Sequence, residues 1–333
     1  MKTRRIGPFE VSCIGLGCMS FSHAYGTPPP AEAAERVMLE ALDRGVTLFD
    51  TAALYGFGAN ETLVGRVLQP HRSRIVLASK GGIGGVTTAE GMKRLIDGRP
   101  ETLRRQCDES LQRLRTDVID LYYLHRWDKQ VPIEESIGAL ADLVRAGKVR
   151  ALGLSEVSAQ RLRQAHAVHP IAAVQSEYSL WSRVVEIGVL DACRAVSAAF
   201  VAFSPVARAY LTGRLRDVHQ LDAKDIRRQM PRFSPDNYAI NLRQLEAFLD
   251  VAREVGCTPA QLALAWLLHQ GDDVVPIPGT TQRDHLIENL GAADVALTAE
   301  QVIRLGAVLH DRTVAGARYN PTTQGEVDTE QFA

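Results

Sequence analysis

Long apolar runs are missing from this 333-residue chain. The most apolar helical stretch, around Ala260 to His269, falls short of the roughly 20 residues that a bilayer-spanning helix needs, so no membrane segment is expected. No apolar core of a secretory leader follows Arg4 and Arg5, and the expected location is cytoplasmic. Cysteine is scarce: Cys13, Cys18, Cys107, Cys193 and Cys257 are scattered, odd in number and without a CxxC pair or a histidine at zinc spacing. That pattern excludes a disulfide framework and gives no metal site, leaving reduced, mostly buried thiols. An excess of one charge is also absent, with 38 Lys and Arg against 39 Asp and Glu. No global field therefore draws the chain to nucleic acid or to an anionic membrane, and any anion site has to be local. What is present is globular: 46% hydrophobic residues over this length exclude disorder and suffice for a large core.

Eight short β-branched or aliphatic runs, at 14–17, 47–50, 75–79, 119–124, 149–154, 173–175, 200–203 and 274–277, alternate with amphipathic helical stretches. The alternation predicts parallel βαβ units. Eight units over about 270 residues match an α/β fold of the (β/α)8 TIM-barrel type, in one domain spanning residues 1–333. An open doubly wound sheet is the alternative. Helix ends are marked: residues 31–44 follow Pro28-Pro29-Pro30 and stop at Gly45, residues 134–146 stop at Gly147, and Thr258-Pro259 opens a helix that runs to Gln270 before Gly271. Residues 5–11 predict a β-hairpin plugging the N-terminal end of the barrel. Extra helices and a long loop lie toward the C-terminal end. The loop is residues 206–240, with Gly213, Pro231, Pro235 and many charges, and loops of that length are usually functional or disordered. The tail from Arg312 to Ala333 has no periodicity and is expected either to drape over the site or to lie loose.

Familiar local fingerprints are near misses. Gly15-Leu16-Gly17 starts a dinucleotide glycine motif without its third glycine, and Gly153-Leu154-Ser155-Glu156-Val157 lacks the final glycine of a nucleophile elbow. Strand ends say more, because barrel enzymes place their chemistry at the C-terminal mouth. Asp50, Lys80 and His125 end the second, third and fourth strands, and neighbouring parallel strands lie about 4.8 Å apart. Tyr55, in the loop after Asp50, leans over the same mouth. An ammonium beside a tyrosine pulls its pKa down from about 10, a carboxylate keeps that ammonium charged, and a histidine donates to a carbonyl oxygen. Such a set is suited to protonating an oxygen while a hydride reaches carbon.

Phe49-Asp50-Thr51-Ala52-Ala53-Leu54-Tyr55-Gly56 with Asn60-Glu61-Thr62-Leu63-Val64-Gly65 closely resembles the aldo-keto reductase superfamily. The resemblance continues through Ser79-Lys80-Gly81, residues 120–126, 153–156, 174–180 and 203–205, and Ile277-Pro278-Gly279-Thr280-Thr281. Residues 165–170 and 179–183 look most like the branch containing plant perakine reductase. The resemblance implies reversible reduction of an aldehyde or ketone, a small-molecule carbonyl substrate, and NADPH/NADP+ as cofactor with NADH as an alternative. It also implies a catalytic tetrad of Asp50, Tyr55, Lys80 and His125. Ser155, Glu156 and Gln175 stand where the nicotinamide carboxamide is held, and Phe203 where an aromatic ring stacks on the nicotinamide. Ser204, Pro205, Ala207, Arg208 and Leu211 begin the loop over the pyrophosphate, while Gly279, Thr280, Thr281, Gln282, Arg283, Glu288 and Asn289 meet the adenosine end. Thr281 and His285 replace basic residues of many relatives, which leaves Arg283 as the local cation for a 2′-phosphate. Glu156 replaces an asparagine. Self-association into a homo-oligomer is compatible with this reading. Two other functions share the same residues: a cofactor-bound regulatory module acting on a partner, and a Schiff-base aldolase using Lys80, which requires a neutral amine.

Overall fold

The computed structural model describes residues 1–88, 91–310 and 313–332. Strands β1 (Thr3–Ile6) and β2 (Phe9–Ser12) pair antiparallel around the left-handed turn at Gly7. Three parallel strands follow, β3 (Leu16–Gly17), β4 (Leu48–Asp50) and β5 (Val76–Gly81), and then a second antiparallel hairpin, β6 (Ile83–Thr88) with β7 (Gly91–Ile96). The parallel series resumes with β8 (Ile119–Leu124), β9 (Val149–Ser155), β10 (Ile171–Glu177), β11 (Ala199–Phe203) and β12 (Val274–Pro276). Each of these strands pairs with its predecessor in the parallel series. The ends of the sheet also meet. The Gly15 N–H donates to the Pro276 carbonyl at 3.0 Å and the Gly17 N–H to the Pro278 carbonyl at 3.3 Å. A closed barrel results, not an open doubly wound sheet. A Cβ on Gly17 would stand 2.8 Å from the Ile277 carbonyl oxygen, so the closure needs glycine there.

The strands are buried on both faces, and the pleat sorts their side chains into two cores. Leu48, Val76, Ala78, Leu121, Tyr123, Ala173, Val201 and Val275 fill the barrel with Ile6 and Val11 of the first hairpin, which seals the N-terminal end as expected. Phe49, Leu77, Tyr122, Leu152, Val174 and Phe200 face outward into a second core shared with the helices. Those helices are α1 (Ala31–Asp43), α2 (Ala59–Leu68), α3 (Pro100–Leu114), α4 (Ile133–Arg145), α5 (Ala159–Val168), α6 (Val189–Ala195), α7 (Pro235–Val255), α8 (Pro259–Leu268), α9 (Arg283–Leu290), α10 (Ala299–Val308) and α11 (Pro321–Gly325). Among the described residues no helix is long and apolar enough to cross a membrane.

Two stretches differ from the sequence reading. Residues 206–240 are not one structureless loop: four short 3₁₀ turns run from Ala207 to Phe233, and α7 already starts at Pro235. Tyr210, Leu211, Val218 and Phe233 anchor these turns in the core, at spacings too irregular to show a period. The expected tail is docked; its ends, Arg312 and Ala333, lie outside the described residues. Lys129 Nζ donates to the Gly325 and Val327 carbonyls at 2.9 and 3.0 Å, and the Asp328 N–H donates to the Glu156 carbonyl at 3.0 Å. The tail therefore runs across the mouth of the barrel beside the end of β9.

Candidate active site

Inward-facing positions recur every second residue along a strand, and this period builds the floor of the mouth. Leu48 and Asp50 share a face of β4, as do Val76, Ala78 and Lys80 on β5 and Ala173 and Gln175 on β10. His125 continues the inward series Leu121, Tyr123. Lys80 is fully buried. Its ammonium donates to Asp50 Oδ1, to the Thr51 carbonyl at 2.9 Å and to the Tyr55 hydroxyl at 3.3 Å. Gln175 Nε2 donates to Asp50 Oδ2 at 2.7 Å, so both carboxylate oxygens are engaged. Tyr55 starts a tight turn through Gly56, Phe57 and Gly58, all with positive φ. The Tyr55 ring lies edge-on to His125 with centroids 5.9 Å apart and is stacked on His23 at 6.2 Å. Asn60 ties down this loop, accepting from Thr51 Oγ1 at 2.6 Å and donating to the Cys18 carbonyl at 2.9 Å.

The electrostatics of the four groups follow from their burial. Loss of water disfavours the charge on Lys80, but Asp50 and Tyr55 more than offset this and hold the ammonium above the ordinary lysine range. Burial raises the Tyr55 hydroxyl above the usual tyrosine value, and Lys80 offsets that only in part. The direction differs from the sequence expectation because desolvation of the phenolate outweighs the ammonium 3.3 Å away. His125 is held well below its usual value by burial and by the field of Arg126, Lys80, Arg94 and His23, so its ring is neutral. The set therefore comprises a protonated tyrosine, a charged lysine and a neutral imidazole at one mouth.

These groups form one end of a cleft of about 620 Å³. Asp50, Tyr55 and His125 line it, and Lys80 reaches them from behind. Ser155, Gln175, Phe203, Ser204, Pro205 and Arg208 follow along one wall. Gly279, Thr280, Thr281 and Gln282 form the far end. The remaining expected contacts stand back from the wall. Glu156 is buried, with its carboxylate gripped by Arg318 and accepting from the Glu177 N–H at 2.9 Å. Ala207 and Leu211 are buried beneath their loop. Arg283 makes a two-pronged pair with Glu40, both contacts at 3.0 Å, and Glu288 pairs with Arg214 at 3.0 Å. Asn289 is buried on α9. Gln175 lines the cleft, yet its amide nitrogen already serves Asp50.

Several cleft residues escaped the sequence reading. Tyr25 comes from the loop after β3 and Arg94 from strand β7 of the second hairpin, while Arg227 and Met230 come from the 3₁₀ segment. Tyr319 comes from the tail, and it accepts from Arg208 Nη2 at 3.3 Å. Beneath this wall lies a charge network. Burial alone would raise Glu177, but the guanidinium groups of Arg208, Arg318 and Arg232 hold it down at about 2. Arg208 donates to its carboxylate at 2.8 Å.

A dinucleotide fits the cleft. Ser20 Oγ in its wall is buried with no hydrogen-bond partner among the described residues, Phe203 presents an aromatic ring, and the volume is that of a ligand pocket. The adjoining loop holds Ser204, Ala207, Arg208 and Ala209 at positive φ, a strained backbone of the sort kept at ligand clamps.

Similarity to known proteins points the same way. A curated soybean (Glycine max) protein, probable aldo-keto reductase 1, is 43% identical over 313 residues, covering 93% of this chain and 89% of its own. A Schizosaccharomyces pombe aldo-keto reductase, whose name specifies NADP(+), is 41% identical, with 96% and 94% covered. Among solved structures, a glycerol dehydrogenase from Gluconobacter oxydans superposes with a TM-score of 0.85 at 30% identity, covering 96% of this chain and 98% of its own. A holo-form aldo-keto reductase from Bacillus halodurans gives 0.76 at 26% identity, covering 96% and 99%. Kinship with the perakine reductase branch is not carried by these relatives. The Aldo/keto reductase family model matches residues 13–310. On that match and these relatives, the chain belongs to the aldo-keto reductase family and is an NAD(P)H-dependent oxidoreductase.

Proposed function

We propose that the protein reduces aldehydes or ketones to alcohols with NADPH, with Tyr55 as the general acid. The observation that carries this reading is the Tyr55 hydroxyl held 3.3 Å from a buried, charged Lys80 and beside a neutral His125 at the floor of the cleft. The substrate oxygen sits between Tyr55 and His125, and both donate to it. Lys80 steadies the phenolate as Tyr55 gives up its proton, while Asp50 and Gln175 fix the position and charge of Lys80. General acid catalysis of this kind contributes about 10²–10⁴ in rate, or roughly 3–5 kcal/mol. A bound nicotinamide supplies the hydride. Ser155 and Phe203 face the nicotinamide end, Ser204 to Arg208 the diphosphate, and Gly279 to Gln282 the adenosine. Arg283 is the cation for a 2′-phosphate once it leaves Glu40. A Schiff base at Lys80 is disfavoured, because the amine would have to lose the proton that Asp50 holds.

The test is loss of reduced-cofactor absorbance when the protein is mixed with an electron-poor benzaldehyde or a 1,2-dicarbonyl, using NADPH and NADH in parallel. Turnover faster with NADPH is expected. Tight cofactor binding without turnover on any carbonyl would overturn the reading in favour of a regulatory module.

A further inference from the structure

Four arginines line the cleft, Arg94, Arg126, Arg208 and Arg227. Three have carboxylate partners: Arg94 pairs with Glu326, Arg208 with Glu177 and Arg227 with Asp225. Arg126 is different. Its Nη1 donates to the His125 carbonyl at 2.6 Å and to Ser155 Oγ at 3.1 Å, and it pairs with no carboxylate among the described residues. Asp50 is the one acidic residue in the described cleft wall, and Lys80 and Gln175 occupy both its oxygens. The carbonyl-binding end thus carries Arg126, Arg94 and Lys80 in its surroundings, with no free counter-charge for Arg126 among the described cleft-wall residues.

The diphosphate of a dinucleotide does not supply that counter-charge. In the proposed reading, on which this inference rests, the diphosphate and adenosine lie along the segments after β11 and β12. Arg126 follows β8, three and four strands away around the barrel. A guanidinium in a partly desolvated cleft whose Nη1 is held by two neutral acceptors keeps its Nε and Nη2 edge for a planar, bidentate anion. We infer that the substrate is a carboxylate-bearing aldehyde or ketone, with Arg126 binding the carboxylate beside the Tyr55–His125 carbonyl site. Arg126 is then a specificity residue, separate from the proton donor.

The experiment compares 3- and 4-formylbenzoate with their methyl esters, with NADPH as reductant, for wild type, Arg126→Met and Arg126→Lys. NADPH affinity is read in parallel by fluorescence. Wild type is expected to favour at least one acid over its ester in kcat/KM. Arg126→Met is expected to lower the acid-to-ester ratio by roughly 10- to 100-fold. Arg126→Lys should recover part of that ratio, and NADPH affinity should stay near wild type. An unchanged acid-to-ester ratio in Arg126→Met, or a wild type that favours both esters, would overturn the inference. If the variant does not fold, competitive inhibition of wild type by benzoate but not by benzamide supports the inference, and equal inhibition overturns it. Failure of the reductase reading looks different: no aldehyde is turned over, while calorimetry still shows whether the NADPH-loaded protein binds benzoate through Arg126.

Discussion

Removing Lys80 and Asp50 together should destabilise the protein by about as much as removing either one alone. Lys80 is fully buried and Asp50 nearly so, and the ammonium bonds to the carboxylate, the Thr51 carbonyl and Tyr55. Lys80→Met strands a carboxylate in the barrel with only Gln175 donating to it, and Asp50→Asn strands an ammonium. Breaking a buried pair from one side costs about 3–5 kcal/mol. An unfolding entropy of about 2.1 cal/mol/K per residue gives about 0.7 kcal/mol/K for a 333-residue chain, so each single change lowers the melting midpoint by about 4–7 °C. The double variant leaves no stranded charge. Its cost stays near that of one single change, which corresponds to a coupling of about 3 kcal/mol. Circular dichroism melts of the four proteins at one scan rate measure this. Additive shifts, with the double variant falling by the sum of the two singles, would refute the claim that the pair acts as one buried unit.

Other consequences follow from the same contacts. Arg318→Met leaves the buried Glu156 carboxylate without its cationic partner, and the expected loss of about 3–5 kcal/mol should appear in chemical denaturation together with faster protease cleavage of the tail; wild-type values for both would contradict the docking described above. His125 has its folded-state pKa depressed below 6.5, so below that pH the unfolded chain binds a proton that the native state refuses. Stability is therefore lost as pH falls from 6.5, and wild type should lose about 1.4 kcal/mol per pH unit more than His125→Asn, measured by denaturant midpoints between pH 7 and 5. Arg283→Ala should raise the NADPH KM on the order of tenfold and leave the NADH KM unchanged; equal effects on both cofactors would remove the 2′-phosphate role from Arg283.

The parts of the site that lie on strands were legible because a pleated strand has a fixed period. Once Leu48, Val76 and Tyr123 are inward, Asp50, Lys80 and His125 have to be inward as well, and the topology sets them side by side. The hairpin ahead of the barrel was legible through its Gly-Pro turn. Residues 83–96 showed no strand signal, since three of them are glycines and Met92, Lys93, Arg94 and Leu95 are exposed in succession, with no alternating pattern. The 3₁₀ turns after β11 stayed hidden for a related reason: their buried residues cluster at 207–211 and then recur only at Val218 and at Arg232 and Phe233, with no period. Glu156 illustrates a further limit. Its neighbours in sequence mark it as a cofactor contact, but its partner Arg318 lies 162 residues away in a stretch without periodicity. The sign of the Tyr55 shift was missed because charge pairing can be read from residue types, whereas desolvation depends on how completely the barrel excludes water.

The most direct test of the central claim is carbonyl reduction by Tyr55→Phe, a change that removes one oxygen and keeps the ring against His23 and His125. The account predicts that kcat falls by about 10²–10⁴ while NADPH affinity and melting temperature stay near wild type. A Tyr55→Phe protein that reduces carbonyls at the wild-type rate would contradict it.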